Sequence, residues 1–213
     1  EEISSCFDLA ILDDGYQYRK VEKDLEILLL NGKSPFSDGY LIPAGILREP
    51  QSAIKRASLV VFTHTKDNIS AELINSVKEI NKQAEIFSAY YKPVHFLDLK
   101  DNIYNLHSLN GKKVACFSAI AYPEGFIDIL ASLELAISCK FIYPDHYDLT
   151  EQEFRLIESK CKQFNIKVLI ITAKDQFRFK FTTYLNIYVL AVKININPKA
   201  CFFNKVDYLL NKK

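Results

Sequence analysis

The chain has 213 residues, 49% of them hydrophobic and 25% charged, and a formal net charge of +1. This is ordinary globular composition, enough for one large domain or two small ones, and it excludes a disordered or fibrous chain. The near-zero charge excludes a global field that would draw in nucleic acid, and no apolar run approaches the ~18 residues that span a bilayer.

Five cysteines without a C-x-x-C spacing argue against a disulfide framework or a zinc site and predict buried thiols. The chain opens Glu-Glu-Ile and contains no methionine, so it is expected to be a fragment of a longer protein.

Along the chain, Ile3 to Leu12 holds a mostly apolar run from Phe7 that ends at Asp13-Asp14-Gly15, the pattern of a buried parallel strand with an acidic C-terminal end. Leu25 to Leu30 is a second strand, closed by Asn31-Gly32. A long loop punctuated by Gly and Pro runs to Glu49-Pro50. A short helix over Gln51 to Arg56 and a strand over Ala57 to Thr63 follow. Ser70 to Gln83 reads as an amphipathic helix with Ser70 as N-cap. Ala84 to Tyr90 is a strand, and Pro93 to Leu99 alternates as a separate, half-exposed one. The polar stretch from Lys100 to Asn110 marks a boundary.

The rhythm then restarts. Strands are predicted over Lys113 to Ile120, Ser138 to Tyr143, Lys167 to Thr172 and Asn186 to Ile196. Helices are predicted over Pro123 to Leu133 and Thr150 to Gln163, the second opened by a capping-box sequence. Strands alternating with helices imply α/β layering with mainly parallel sheets. The expected division is residues 1–92, a linker over 93–110, a second α/β domain over 111–196 and a C-terminal return segment over 197–213.

Four constellations carry possible chemistry. Asp13-Asp14 at a strand end is a magnesium pair or, on turn chemistry alone, a plain Asp-Asp-Gly turn. Arg48-Glu49, in the loop from Pro43 to Pro50, offers a phosphate clamp and a metal-shell carboxylate, or a solvated ion pair. Asp145-His146 follows a strand and suits an oriented proton carrier or a structural turn. Lys174 in Thr172-Ala173-Lys174-Asp175 can reach a nucleotide phosphate, or it is an exposed turn residue. No G-x-x-x-x-G-K-[ST] phosphate loop occurs in these 213 residues. An Asp-Asp nucleophile is disfavoured because no further Asp follows at the expected spacing.

These constellations in this order resemble tetraacyldisaccharide 4′-kinase, the lipid A kinase family of Gram-negative bacteria. The matching stretches are Ile11-Leu12-Asp13-Asp14-Gly15-Tyr16-Gln17, Arg19-Lys20, Asp24-Leu25-Glu26-Ile27 and Gly39-Tyr40-Leu41-Ile42-Pro43-Ala44-Gly45. Leu47-Arg48-Glu49-Pro50, Lys55-Arg56-Ala57, Pro123-Glu124, Pro144-Asp145-His146 and Lys174-Asp175 continue the match. The resemblance implies two α/β/α sandwich units joined by a short β linker, the first P-loop NTPase-like and incomplete here. It implies transfer of a phosphoryl group from ATP, with Mg2+, to the 4′-hydroxyl of a lipid disaccharide at the cytoplasmic face of the inner membrane.

By the same resemblance Asp13, Asp14 and Glu49 belong to the metal shell. Arg48 and His146 are catalytic, and Gln17 and Lys174 contact the nucleotide. The P-loop, the catalytic carboxylate and the membrane-associating helix fall in the family's N-terminal part. Three positions depart from the family pattern. Tyr18 stands where His is usual, Ala119-Ile120-Ala121-Tyr122 stands for Gly-Ile-Gly-Asn, and Ala173 stands for Glu. A Cβ at 119 and 121 narrows the room for a nucleotide. The competing expectation is a non-catalytic remnant serving at most as a binding or assembly module. An incomplete first unit is also expected to expose an apolar sheet edge or face.

Overall fold

The structure, a computed structural model, describes residues 9–66 and 68–211. Eight strands are linked by hydrogen bonds into one sheet: β1 (Ile27–Asn31), β2 (Leu59–Thr63), β3 (Glu85–Asp98), β4 (Ile103–Tyr104), β5 (Lys113–Ser118), β6 (Ala136–Ile142), β7 (Val168–Thr172) and β8 (Asn186–Asn197). Their order is β1-β2-β3-β8-β7-β5-β6, with β4 attached to β3. The pairings β1–β2, β2–β3, β5–β6, β5–β7 and β7–β8 are parallel, as the alternating pattern predicts, and β3–β4 is antiparallel. Where two sheets were expected, the strands therefore form one mixed, mostly parallel sheet. Four α-helices accompany it: α1 (Ala71–Lys78), α2 (Pro123–Ala131), α3 (Glu151–Gln163) and α4 (Lys199–Leu210).

The chain divides into two compact units, one running to Tyr90 and resuming at Asn195, the other spanning Tyr91–Ile194. In the first, β2 is the centre. Val60 and Phe62 face a cluster with Ile54, Val77 of α1 and the flank of β1 at Leu28 and Leu30. Leu59 and Val61 face the opposite cluster, closed by Phe87 and by Phe202 of α4. The Phe87 and Phe202 rings meet edge to face at 5.2 Å, a geometry their quadrupoles favour.

In the second unit β5 carries the core. Ala115 and Phe117 face α3 through Phe154, Ile157 and Cys161. Val114 and Cys116 face α2 through Phe126 and Leu130. That alternation is the period-two geometry of a strand buried on both sides. The Thr150 capping box forms in full: Thr150 Oγ1 accepts from the Glu153 N–H at 3.3 Å, and the Thr150 N–H donates to Glu153 Oε2 at 2.9 Å. Pro123 opens α2, where its missing donor and fixed φ cost nothing.

Four expectations need correction. Leu9 to Leu12 is not strand but irregular and exposed chain, and the earlier part of that predicted strand lies outside the described residues. The helix opened by Ser70, whose Oγ accepts from the Leu73 N–H, ends at Lys78 rather than Gln83. Asn81 stops it, because its amide donates to the Ile54 and Ala57 carbonyls while its Oδ1 accepts from the Gln83 and Ala84 amides. The two strands predicted around Pro93 are one 14-residue strand, since proline's φ suits extended backbone even though it gives up a donor. Burial of the thiols holds for Cys116 and Cys161, pushed up to about 11 by loss of solvent, but Cys201 on α4 is exposed and Cys6 lies outside the described residues.

Candidate active site

The Asp-Asp-Gly stretch is a turn in the structure, and its carboxylates project from it. Asp14 sits at φ 50°, in the left-handed region that Asp tolerates better than most residues. A Cβ on Gly15 would stand 2.5 Å from the Leu12 side chain, so only glycine fits. The turn is closed by the Tyr18 N–H donating to the Gly15 carbonyl at 3.1 Å and is tied down by Lys23 Nζ on that same carbonyl at 3.0 Å.

The Pro-Ala-Gly loop is a closed ring. Ile42 N–H donates to the Leu47 carbonyl at 3.0 Å, Leu47 N–H to that of Tyr40 at 3.1 Å, and Gly45 N–H to that of Leu41 at 2.9 Å. The Ile42–Pro43 peptide is cis. A side chain at Gly45 would collide with the Tyr40 carbonyl oxygen at 2.4 Å, which forces glycine there too. The ring delivers Arg48 and Glu49 at its end.

The two motifs meet. Arg48 Nη1 lies 2.5 Å from Asp14 Oδ2, an exposed ion pair that raises the guanidinium's pKa through the hydrogen bond to Asp14. Exposed pairs of this kind add little stability, so Arg48 is free to exchange partners. Glu49 is bound to Arg56, 2.7 Å from Oε2 to Nη2. Arg56 also donates to the Tyr16 carbonyl at 3.1 Å, and its guanidinium lies over the Tyr16 ring at 4.5 Å. Its Nε approaches Glu26 at 3.7 Å as an ion pair without hydrogen-bond alignment. The Tyr16 hydroxyl donates to the Ala53 carbonyl at 2.8 Å, and burial pushes its pKa up to about 12.

Arg56 is thus the joint of this region. Sequence reasoning gave it no role, although its seven-residue spacing from Glu49 across a short helix was a usable signal. Beside the joint lies a cleft of about 220 Å3, lined by Tyr16 and Gln17, by Leu28 to Asn31 of β1 and by Ile46 to Gln51.

Of the predicted site residues, the structure therefore brings Asp14, Gln17, Arg48 and Glu49 to one region of the first unit, with Asp13 exposed at its margin. Among the described residues no three His, Cys, Asp or Glu side chains converge as a metal cage. The donor set does suit magnesium, which commonly takes one or two carboxylates and completes its shell with phosphate oxygens and water. Asp13 and Asp14 are adjacent and open to solvent, as that mode of binding requires. The Glu49 carboxylate is already engaged by Arg56.

The other two predicted residues belong to the second unit. His146 sits at φ 59° with its ring 87% exposed, Nε2 3.9 Å from Asp145 Oδ2. Lys174 is exposed, but its neighbour Asp175 is fully buried. Asp175 Oδ2 accepts from Thr172 Oγ1 at 2.6 Å and from the Ala119 N–H at 3.3 Å, fastening the turn after β7 to the end of β5. Arg178 Nε stands 3.3 Å from Asp175 Oδ1, close enough for an ion pair but off the hydrogen-bond line. The Thr-x-Lys-Asp motif thus contains one structural carboxylate and one accessible cation.

Comparison with known proteins identifies what this arrangement is similar to. The LpxK family model, described as tetraacyldisaccharide-1-P 4'-kinase, matches residues 2–211. The tetraacyldisaccharide 4'-kinase of Elusimicrobium minutum is 32% identical over 200 residues, covering 90% of this chain and 52% of the relative. That of Desulfatibacillum aliphaticivorans is 32% identical over 215 residues, covering 96% and 56%. The crystal structure of LpxK from Aquifex aeolicus in complex with ATP matches with a TM-score of 0.61 at 23% identity, over 92% of this chain and 56% of that one, a likeness of fold. The chain spans about half the length of the curated relatives it matches. On the extent of the family match, this chain belongs to the tetraacyldisaccharide-1-P 4'-kinase family.

Proposed function

We propose that this chain carries the magnesium and phosphate-contacting half of a lipid A 4′-kinase, which phosphorylates the 4′-hydroxyl of a tetraacyldisaccharide 1-phosphate with ATP. The observation that supports this is the junction of the Asp13-Asp14 turn with the Arg48-Glu49 ring through the Arg48–Asp14 pair and Arg56. Phosphoryl transfer depends on positioning and on charge placed against the transferring group, and this junction supplies both kinds of group.

In this reading Asp13 and Asp14 hold a magnesium ion, which when bound neutralises charge on the nucleotide phosphates. Arg48 leaves Asp14 for a phosphate oxygen, a substitution that its exposure permits. Glu49, whose carboxylate Arg56 holds, is the further member of that metal shell. Gln17 and Lys174 orient the nucleotide, and His146 orients the carboxylate that takes the hydroxyl proton. The working place is the cytoplasmic face of the inner membrane, reached through the family's remaining part, since no helix among the described residues is long and apolar enough to cross a bilayer.

The 213 residues contain no phosphate-cradling loop, so the chain alone is expected to show no transfer. Joined to the part of the Elusimicrobium minutum relative that lies outside the match, it is expected to move label from ATP to the disaccharide, with Asp13→Asn and Asp14→Asn each abolishing the signal. Transfer by the chain alone, or an active joined protein indifferent to both substitutions, would overturn the reading. A joined protein that folds but never transfers would favour the non-catalytic module.

A further inference from the structure

The strand order β7-β5-β6 sets the end of β5 between the two turns that carry Lys174 and His146. Ala119, the first residue past β5, is bonded to both. Its N–H donates to Asp175 Oδ2 and its carbonyl accepts from the His146 N–H, each at 3.3 Å. On the β7 side the Asp175 N–H donates to the Thr172 carbonyl at 3.1 Å, and Thr172 Oγ1 donates to Asp175 Oδ2 at 2.6 Å, so Lys174 lies in a turn closed twice. On the β6 side the Tyr143 N–H donates to the Ser118 carbonyl at 3.0 Å, and the His146 N–H is shared with Asp145 Oδ1 at 3.1 Å. Two groups in this connection are unfavourable taken singly. His146 holds φ 59°, a left-handed conformation that persists where its surroundings fix it. Asp175 is a fully buried carboxylate whose Oδ1 accepts no hydrogen bond among the described residues and faces Arg178 Nε off the hydrogen-bond line. Exchanging a buried ion pair for apolar side chains is often neutral or stabilising, so stability alone does not account for a carboxylate at this place.

We infer that Asp175 is a positioning residue: through Ala119 it sets Lys174 and His146 on one frame. The inference rests on the kinase reading, in which Lys174 contacts the nucleotide and His146 orients the carboxylate that takes the hydroxyl proton. Being fully buried, Asp175 touches neither substrate itself. It acts on Lys174 as the adjacent residue of the same turn. It acts on His146 at second hand, because the carbonyl that holds the His146 backbone belongs to the residue whose N–H Asp175 holds. Ala119 is 1% exposed and packed into the core cluster on the α3 side, so a shift at its N–H is passed on to its carbonyl. A misplacement of about 1 Å can cost roughly a hundredfold in rate, and a common frame guards both residues against it.

The first measurement is amide hydrogen exchange by NMR on this chain, which needs no phosphoryl transfer. In the unaltered chain the Ala119, His146 and Asp175 amides are expected to share one protection within about threefold, a result that needs no variant to fold. Asp175→Ala should speed exchange at Ala119 and His146 at least about tenfold, while Cys116 and Ile170, inside β5 and β7, stay unchanged. Asp175→Asn, whose side-chain oxygen still accepts from both donors, should restore protection at His146. The inference falls if the three amides differ widely in protection, or if Asp175→Ala loosens Ala119 and leaves His146 as it was, the mark of a merely local fastening. It also falls if every amide loosens equally. The second measurement is transfer by the joined protein. Asp175→Ala should lower kcat at least about tenfold, but by less than about threefold in a protein that already carries Lys174→Ala and His146→Ala. An undiminished kcat, or an equal further loss in that background, overturns the positioning role. A joined protein that never transfers, with the exchange results as expected, overturns the kinase reading and leaves the frame standing.

Discussion

The two units build the same kind of strand and finish it differently. β5 and β7 in the second unit are apolar runs with helices over both faces, and their core side chains are fully buried. β1 in the first unit is just as apolar, yet among the described residues only one of its faces packs, through Leu28 and Leu30. Apolar sequence makes a strand eligible for burial. Whether it is buried depends on what else the chain brings to cover it. The polar residues of the candidate motifs follow the same division: Asp175 has been absorbed into a finished core, while Asp13, Asp14 and Arg48 are exposed.

The sharpest way to break this comparison is to cut a large side chain from each unit. Phe154→Ala, at a fully buried ring between α3 and β5, is expected to cost about 3–5 kcal/mol in denaturant titration. Leu29→Ala should cost no more than about 0.5 kcal/mol. Limited proteolysis should likewise cut within residues 9–50 before it reaches β5 or β7. Equal losses for the two substitutions, or equal resistance of the two units, would erase the distinction.

A smaller difference lies within the first unit. Arg56→Ala removes the joint among Glu49, Tyr16 and Glu26 and should lower stability by roughly 1–2 kcal/mol, after allowing for partial exposure. Arg56→Lys should not restore it, since an ammonium lacks the planar fork and the flat stack on Tyr16. Arg48→Ala should leave the unfolding midpoint unmoved. In the second unit, Thr150→Ala, which breaks the capping box of α3, should cost about 1 kcal/mol.

The smallest effect is a pH dependence. Asp98 accepts hydrogen bonds from the Lys100 and Asn102 amides, the Asn102 side chain and the Tyr104 hydroxyl, and these lower its pKa from 3.8 to about 2, the Asn102 side-chain bond foremost. A carboxylate held below its unfolded pKa adds stability above that value and loses it as pH falls through the folded one. The difference between the unaltered chain and Asp98→Asn should therefore be full near neutrality and shrink from about pH 4 to about pH 2. A difference that grows on acidification would contradict the assignment.

Periodicity and capping signals placed most elements of the second unit, because local rules and burial agree there: Thr150 with Glu153, Pro123 at a helix start, and Val168–Thr172 as an unbroken apolar run. The misreadings arose where a distant group decides. The end of α1 depends on carbonyls of Ile54 and Ala57, more than twenty residues away, which recruit Asn81. The unbroken β3 was hidden by Pro93, a breaker in helices but tolerated in extended chain. In the candidate site, the meeting of Asp14 with Arg48 was legible only through the family resemblance, since 34 residues separate them. The burial of Asp175 was not legible at all. Its motif reads the same whether the carboxylate faces solvent or the Ala119 amide.

The ring from Tyr40 to Leu47 has a consequence for timing. Its three backbone hydrogen bonds and its crowded Gly45 fix the exit direction of the chain just before Arg48 and Glu49. A floppy loop would have to be ordered at every encounter with a ligand, at a cost of about 1–2 kcal/mol for each residue immobilised. Here most of that ordering happens once, when the chain folds. If Arg48 contacts phosphate as proposed, what remains for each encounter is the motion of one arginine side chain from Asp14 to the ligand, and exposed rotamer changes of that kind take picoseconds to nanoseconds.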